Sequence, residues 1–250
     1  MKRRFGTQPV QIDEENPYWL SFSDLMSALL VVFILAAIAL IIELTQTQKI
    51  IQQDIEELRN AEKARREILY EIRDELERQN ILVQITDNDT VLRIPESTLT
   101  FASNSYDIPT DPDVQANIIA IGNALHNAID KPFDDRDYNF KRFEYLDTVF
   151  IEGHTDSLRS PRIKGNWGLS SYRAISLWEF WEEHLEQQPR FNDMTNAFNQ
   201  KLFSVSGYAA SRRVQAVETT REQRSHNRRI DLRFTIKRPS ISELEKISDR

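Results

Sequence analysis

The chain of 250 residues carries 32 Lys and Arg against 39 Asp and Glu, a net charge of −7, and no basic domain stands out, which excludes nucleic acid as a partner class. Cysteine is absent, so disulfides, zinc–thiolate sites and thiol catalysis fall together, and the chain suits an oxidising periplasm. Its length accommodates one domain of ordinary size with an anchor and a connector.

Residues 1–19 read as a cytoplasmic tail. Lys2, Arg3 and Arg4 are followed by polar residues and by Asp13-Glu14-Glu15, not by an apolar core, so this is not a cleaved signal. Their charge points to a cytoplasmic N-terminus, by a slight margin because Lys49 and Arg59 lie beyond the apolar stretch. Pro17-Tyr18-Trp19 brings rings that favour the membrane interface. A transmembrane helix is predicted over 20–42. From Leu25 to Ile42 eighteen residues carry no charge, and the twenty-three from Leu20 make about 34 Å of helix at ~1.5 Å per residue, enough for a ~30 Å hydrocarbon core.

Asp24 stands alone, one turn inside that helix. A carboxylate near the middle of such a span costs roughly 2.5–3.5 kcal/mol on insertion scales, so a sequence rarely carries one without use for it. Two readings stand: it sits at the headgroup boundary and ends the span, or it carries an ion, gaining and losing it as ions cross the membrane. Ser23 and Ser27 have the spacing that lets helices approach closely. Ser27 also lies three residues beyond Asp24 on nearly the same face, so it either bonds the carboxylate or packs at a helix crossing.

Residues 43–80 predict a connector helix without Gly or Pro, a stiff spacer. Ile51, Ile55, Leu58, Leu69, Ile72 and Leu76 keep a four-three alternation interrupted by Glu62 and Arg65. That fits a short, imperfect coiled coil, or an amphipathic helix lying on its own domain.

The domain itself is predicted over 81–238, followed by a tail, 239–250. Ile81, Val83 and Ile85 alternate, Asp87-Asn88-Asp89 turns, and Val91 to Ile94 completes a hairpin. Asp111-Pro112 opens a helix through Ile118, Leu125 and Ile129, and Val149 to Ile151 reads as a buried strand ending at Gly153. A helix follows Leu169, with Leu177, Phe180, Trp181, His184 and Leu185 on one face. Ile230, Leu232, Phe234 and Ile236 alternate with Asp231, Arg233 and Thr235 in the last strand. The order β-β-α-β-α-β implies an α+β fold, a mixed sheet with helices on one face. Two insertions depart from it: 131–146, aromatic and charged, and 186–200, polar with Pro189. Both read as loops packed on the domain, with a protein-docking surface as the alternative.

Enzyme chemistry is not expected. The six glycines form no nucleotide-binding run, and His126, His154, His184 and His226 lack metal-ligand spacing. No triad or paired-carboxylate pattern emerges, so no cofactor and no metal site is predicted.

The strongest constellation is Ile151-Glu152-Gly153-His154-Thr155-Asp156, then Asn166-Trp167-Gly168-Leu169-Ser170-Ser171-Tyr172-Arg173-Ala174, then Asn227-Arg228-Arg229-Ile230. These three motifs, in this order, resemble those of OmpA-like peptidoglycan-binding domains. The resemblance implies that the diaminopimelate of a peptidoglycan stem peptide is gripped by Asp156 and Arg173, with Thr155, Asn166, Leu169 and Arg228 lining the groove. The chemistry is consistent: diaminopimelate ends in an ammonium and a carboxylate on one carbon, and Arg can hold the carboxylate through two parallel bonds where Lys cannot. The plainer reading is that Asp156 and Arg173 pair with each other or cap the helix. Two departures concern loop shape: the segment between Asp156 and Asn166 is long for the family, and Gln223 replaces a usual glycine before Arg224.

Trp19 to Ala28, with Asp24 and Ser27 inside it, is similar to the pattern of the MotB family of ion-driven stator subunits. That implies a homodimer whose helices stand within a ring of a MotA-like polytopic membrane subunit, Asp24 carrying H⁺ or Na⁺ and the periplasmic domain holding peptidoglycan. It also implies a single-pass inner-membrane protein, N-terminus in the cytoplasm. Among stators, the compact length, Pro17-Tyr18-Trp19 and the stiff connector look most like the ZorB subunits of Zorya anti-phage defence systems, with a ZorA-like ring. Glu43 to Gln48 is not an evident plug of the flagellar kind. A flagellar stator subunit and a passive OmpA-like wall anchor are the alternatives, and the latter has no need of Asp24.

Overall fold

The structure, a computed structural model, describes residues 17–134 and 137–237; most of the predicted cytoplasmic tail and all of the predicted tail 239–250 lie outside them. The chain divides into two compact units, Met1–Gln53 and Asp54–Arg250.

The first unit is described from Pro17 and is helical, the opening stretch of α1 (Pro17–Arg78). Proline at the first helical position needs no N–H and already has the right φ. No Gly or Pro interrupts the turns beyond it, and the helix is long and apolar enough to cross a membrane. Its large apolar side chains, Phe33 and Leu35 among them, are exposed on the chain itself, whereas a helix apolar all round is one that a protein core or a membrane buries.

In the second unit α1 changes character. Ile55 is still 45% exposed, but Ala61, Ala64, Ile68, Leu69, Ile72 and Leu76 are buried in the core. The second reading of the 43–80 helix therefore describes these last turns: they pack on their own domain. Asn80 then takes a left-handed conformation and the Ile81 N–H reaches back 2.9 Å to the Leu76 carbonyl, a Schellman-type stop that lets Ile81 cover Leu76.

Strands β1 (Gln84–Thr86) and β2 (Val91–Pro95) form the expected hairpin. Asp87, Asn88 and Asp89 all have positive φ, the left-handed region these residue types tolerate, and Arg65 donates to the Asp89 carbonyl at 3.0 Å. Asp111 caps α2 (Pro112–Ile129), its carboxylate accepting from the Asp113 N–H at 2.9 Å. The 131–146 stretch is not all loop. It contains a hairpin of β3 (Pro132–Asp134) and β4 (Asp137–Lys141), whose apolar residues are too few for period-two alternation to show. Tyr145 holds it by ring contacts to Phe133 and Phe140, centroids 4.5 and 4.9 Å apart.

Strand β5 (Leu146–His154) leads through the long α3 (Gly165–His184) to β6 (Phe203–Gly207), parallel to β5. β6 was absent from the pattern read in the sequence because only Phe203 and Val205 alternate in it. Helix α3 starts at Gly165, four residues before Leu169, with Lys164 as its cap, and both Lys164 and Gly165 have positive φ. The 186–200 stretch is loop with one short turn, and it buries Phe191 and Met194. A five-residue helix, α4 (Arg221–Ser225), precedes β7 (Arg229–Ile236). The sheet order is β1-β2-β7-β5-β6, antiparallel except for β5–β6. Ile94, Ile151, Leu232 and Phe234 point into one core with the last turns of α1, α2 and α3. This is the expected α+β fold, with Arg93, Glu152, His154, Asp231 and Arg233 on the opposite sheet face.

Candidate functional site

The structure brings together the six residues that the resemblance named for a ligand groove. Thr155, Asp156, Asn166, Leu169, Arg173 and Arg228 share the wall of one cavity of about 410 Å³. The topology explains why. Thr155 and Asp156 continue β5 past its last residue, Asn166, Leu169 and Arg173 lie on one side of α3, and Arg228 immediately precedes β7, which pairs with β5.

Arg173 is 6% exposed and sits with its guanidinium 4.9 Å from the Phe101 ring. It donates from Nε to the Ser105 carbonyl at 2.8 Å and from Nη2 to the Ala102 carbonyl at 3.1 Å. It makes no ion pair among the described residues. Burial pushes it down to about 10, against the opposing pull of Glu96 and Asp156. A charge so placed is oriented but not neutralised.

Asp156 does not pair with Arg173. Its Oδ2 accepts from Arg228 Nη1 at 2.5 Å, and its Oδ1 accepts from the Leu158 N–H at 3.0 Å. Arg228 also grips Glu96 through both arms, Nε to Oε1 at 2.5 Å and Nη2 to Oε2 at 2.6 Å. The Glu96 and Asp156 contacts raise the Arg228 guanidinium above its ordinary value despite burial. Glu96 was missed in the sequence: it follows β2, and no local pattern announces that β2 ends beside Arg228. The groove thus juxtaposes a buried, unpaired guanidinium with a carboxylate that keeps acceptor capacity, the complement of a carboxylate and an ammonium on one carbon. The Thr155 hydroxyl is buried beside it without a hydrogen-bond partner among the described residues.

Two asparagines brace the surroundings of the groove. Asn166 accepts from the Ser160 N–H at 2.8 Å and donates to the Asp156 and Leu158 carbonyls at 3.1 and 2.9 Å, folding the long 157–165 segment onto α3. Asn227, fully buried, accepts from the Val214 and Gln215 N–H groups at 2.8 and 3.0 Å and donates to the Gln215 carbonyl and Glu218. Its role was hidden in the sequence because its partners lie in an irregular segment.

On the outer sheet face Glu152, His154 and Asp231 bring possible metal ligands within 4.8 Å of one another. A cation does not fit their surroundings. Asp231 accepts from Arg93 at 2.9 and 3.1 Å and from Arg229 at 3.0 Å, while Glu152 accepts from Arg233 at 2.9 Å. These guanidiniums already balance the two carboxylates. Against burial, Arg93 and Arg229 bring Asp231 below its ordinary range; His154 and Arg233 do so for Glu152. His154, stacked on Tyr208 at 5.4 Å, is pushed down by burial. The unfolded chain therefore binds a proton at this position at a higher pH than the native fold does. Stability is expected to begin falling as pH drops below about 6.5, with a slope of at most about 1.4 kcal/mol per pH unit for one proton. His154→Gln should flatten that slope between pH 6.5 and 5 in denaturant midpoints; an unchanged slope would assign it elsewhere.

In the membrane-length helix the Ser27 hydroxyl donates to the Ser23 carbonyl at 2.8 Å, one turn back, so its proton is not directed at Asp24.

No family model and no curated protein matches the chain. Solved structures do. A MotB-like protein from Desulfovibrio vulgaris superposes with a TM-score of 0.51 at 17% identity, over 72% of this chain and 95% of that one. The cell wall anchor of the T6SS from Pseudomonas aeruginosa gives 0.46 at 20% identity, over 69% and 99%. The periplasmic domain of Helicobacter pylori MotB gives 0.47 at 18% identity, over 67% and 88%. The first of these establishes a shared fold.

Proposed function

We propose that the chain is a peptidoglycan-anchored, ion-carrying stator subunit of an inner-membrane rotary motor, of the kind used in Zorya anti-phage defence. It is single-pass, with its N-terminus in the cytoplasm and its groove domain in the periplasm, and it acts as a homodimer within a MotA-like ring. It performs no catalysis. The observation that carries the wall-binding role is the convergence of six motif residues, from three separate segments, on one cavity that presents an unneutralised Arg173 beside Asp156. The membrane-anchor role is supported by the one helix among the described residues that is long and apolar enough to cross a membrane, whose 20–42 stretch bears the single carboxylate Asp24. The defence reading over the flagellar one is supported by 43–48 lying within the uninterrupted α1.

The test is retention of the full-length protein, in detergent, on purified peptidoglycan. Asp156→Ala and Arg173→Ala are each expected to weaken binding by about tenfold or more, the worth of a charge-assisted hydrogen bond. Arg173→Lys keeps the charge but loses the fork, and its retention should fall between wild type and Arg173→Ala. Wild-type retention by the folded double variant would place the ligand contacts elsewhere.

A further inference from the structure

The groove holds more positive charge than a zwitterionic ligand end uses. Its wall carries Arg159, Arg173, Arg221, Arg224 and Arg228 against only Glu96 and Asp156. Arg228 alone takes up both carboxylates. Among the described residues Arg224, like Arg173, donates only to backbone carbonyls, those of Glu218 and Thr219 at 3.1 and 3.3 Å. Arg159 and Arg221 make no ion pair among the described residues; Glu222, between Arg221 and Arg224 on the same short helix, is held below its ordinary range by hydrogen bonds at the helix start and by both cations, without forming an ion pair with either. Backbone carbonyls orient a guanidinium without cancelling its charge, and an ammonium with its own carboxylate brings none to cancel it.

The backbone that carries these cations is also held in place. Arg221 and Arg224 are three apart on α4, and so on neighbouring positions of one helical face. The helix is fixed by a capping box: the Gln223 N–H donates to Thr220 Oγ1 at 3.2 Å, and Gln223 Oε1 accepts from the Thr219 and Thr220 N–H groups at 2.8 and 3.1 Å. Gln223 stands where the resembled motif usually has glycine, so that departure is what braces the arginines. Glu218 accepts from the Ser157 N–H at 2.9 Å, tying this segment to the loop that bears Arg159.

We propose that Arg221 and Arg224, with Arg159, form a second anion subsite that binds the glutamyl α-carboxylate of the same peptide. The groove then selects stem peptides whose second carboxylate is free over those in which it is amidated. This rests on the wall-binding reading of the groove.

The experiment measures binding of the full-length protein, in detergent, to two synthetic stem tripeptides ending in diaminopimelate, with the glutamyl α-carboxylate free or converted to the carboxamide. The amide is expected to bind wild type about tenfold or more weakly. Arg221→Gln with Arg224→Gln should bind the free acid no better than wild type binds the amide, so that its preference between the two peptides is lost. Equal affinity of wild type for the two peptides, or a double variant that weakens both alike, overturns the second subsite and leaves the groove reading standing. Failure of wild type to bind either peptide overturns the groove reading, and the subsite with it.

Discussion

Alanine at Gly153 is expected to destabilise the C-terminal unit by about 3 kcal/mol or more, the upper end of what overpacking costs. Gly153 lies in β5 where α3 crosses it, and a Cβ there would overlap the backbone carbonyl of Ser170. Backbone cannot swing aside as a flexible side chain does, so α3 must lift. Lifting it disturbs Leu169 and Arg173, which line the groove, and loosens Leu177 and Trp181 in the core. The check is the thermal midpoint of the full-length variant alongside its retention on peptidoglycan. A Gly153→Ala protein that melts with wild type would show that α3 and β5 are not in this close contact.

Asparagine at Asp24 is expected to abolish function completely while expression and membrane assembly stay at wild-type levels. The substitution keeps the side chain's size and its hydrogen-bonding edge but removes the ability to take up and release an ion. On the proposed function, the readout is phage plating on cells carrying the chain with a MotA-like membrane subunit, with co-purification of the two as the control for assembly. Full protection by Asp24→Asn would reduce the carboxylate to a marker of the helix end. Loss of protection together with loss of co-purification would assign it a structural role instead.

Strong local patterns made much of the fold legible. The alternation of Ile230, Leu232, Phe234 and Ile236, the Asp-Asn-Asp turn and the Asp111-Pro112 cap each state a local geometry that tertiary packing did not override. β6 and the β3–β4 hairpin were not legible, because an edge strand with two apolar residues and a hairpin set among charges carry almost no periodic signal. Two readings of the lower end of α1 stood open because a four-three stripe is the same whether it faces a second copy or its own sheet. At the site the motif residues were visible but their partners were not. Asp156 and Arg173 looked like a pair by charge alone, whereas β7 brings Arg228 to Asp156 and the chain after β2 brings Glu96 to Arg228. Such long-range choices are made by strand order, which sequence spacing does not encode.

Tension that reaches the C-terminal unit at Asp54 runs along the axis of a helix already threaded into the core. For that helix to slip, Ala61, Ala64, Ile68, Leu69, Ile72 and Leu76 must leave their contacts together, a shearing geometry in which the resistances act in parallel. Each large apolar side chain among them resists with about 1.5–3 kcal/mol of burial. The three-residue β1 at the sheet's edge offers the opposite geometry, where strand pairs separate in succession. A pull along α1 is therefore expected to meet more resistance than one that peels β1 from the sheet.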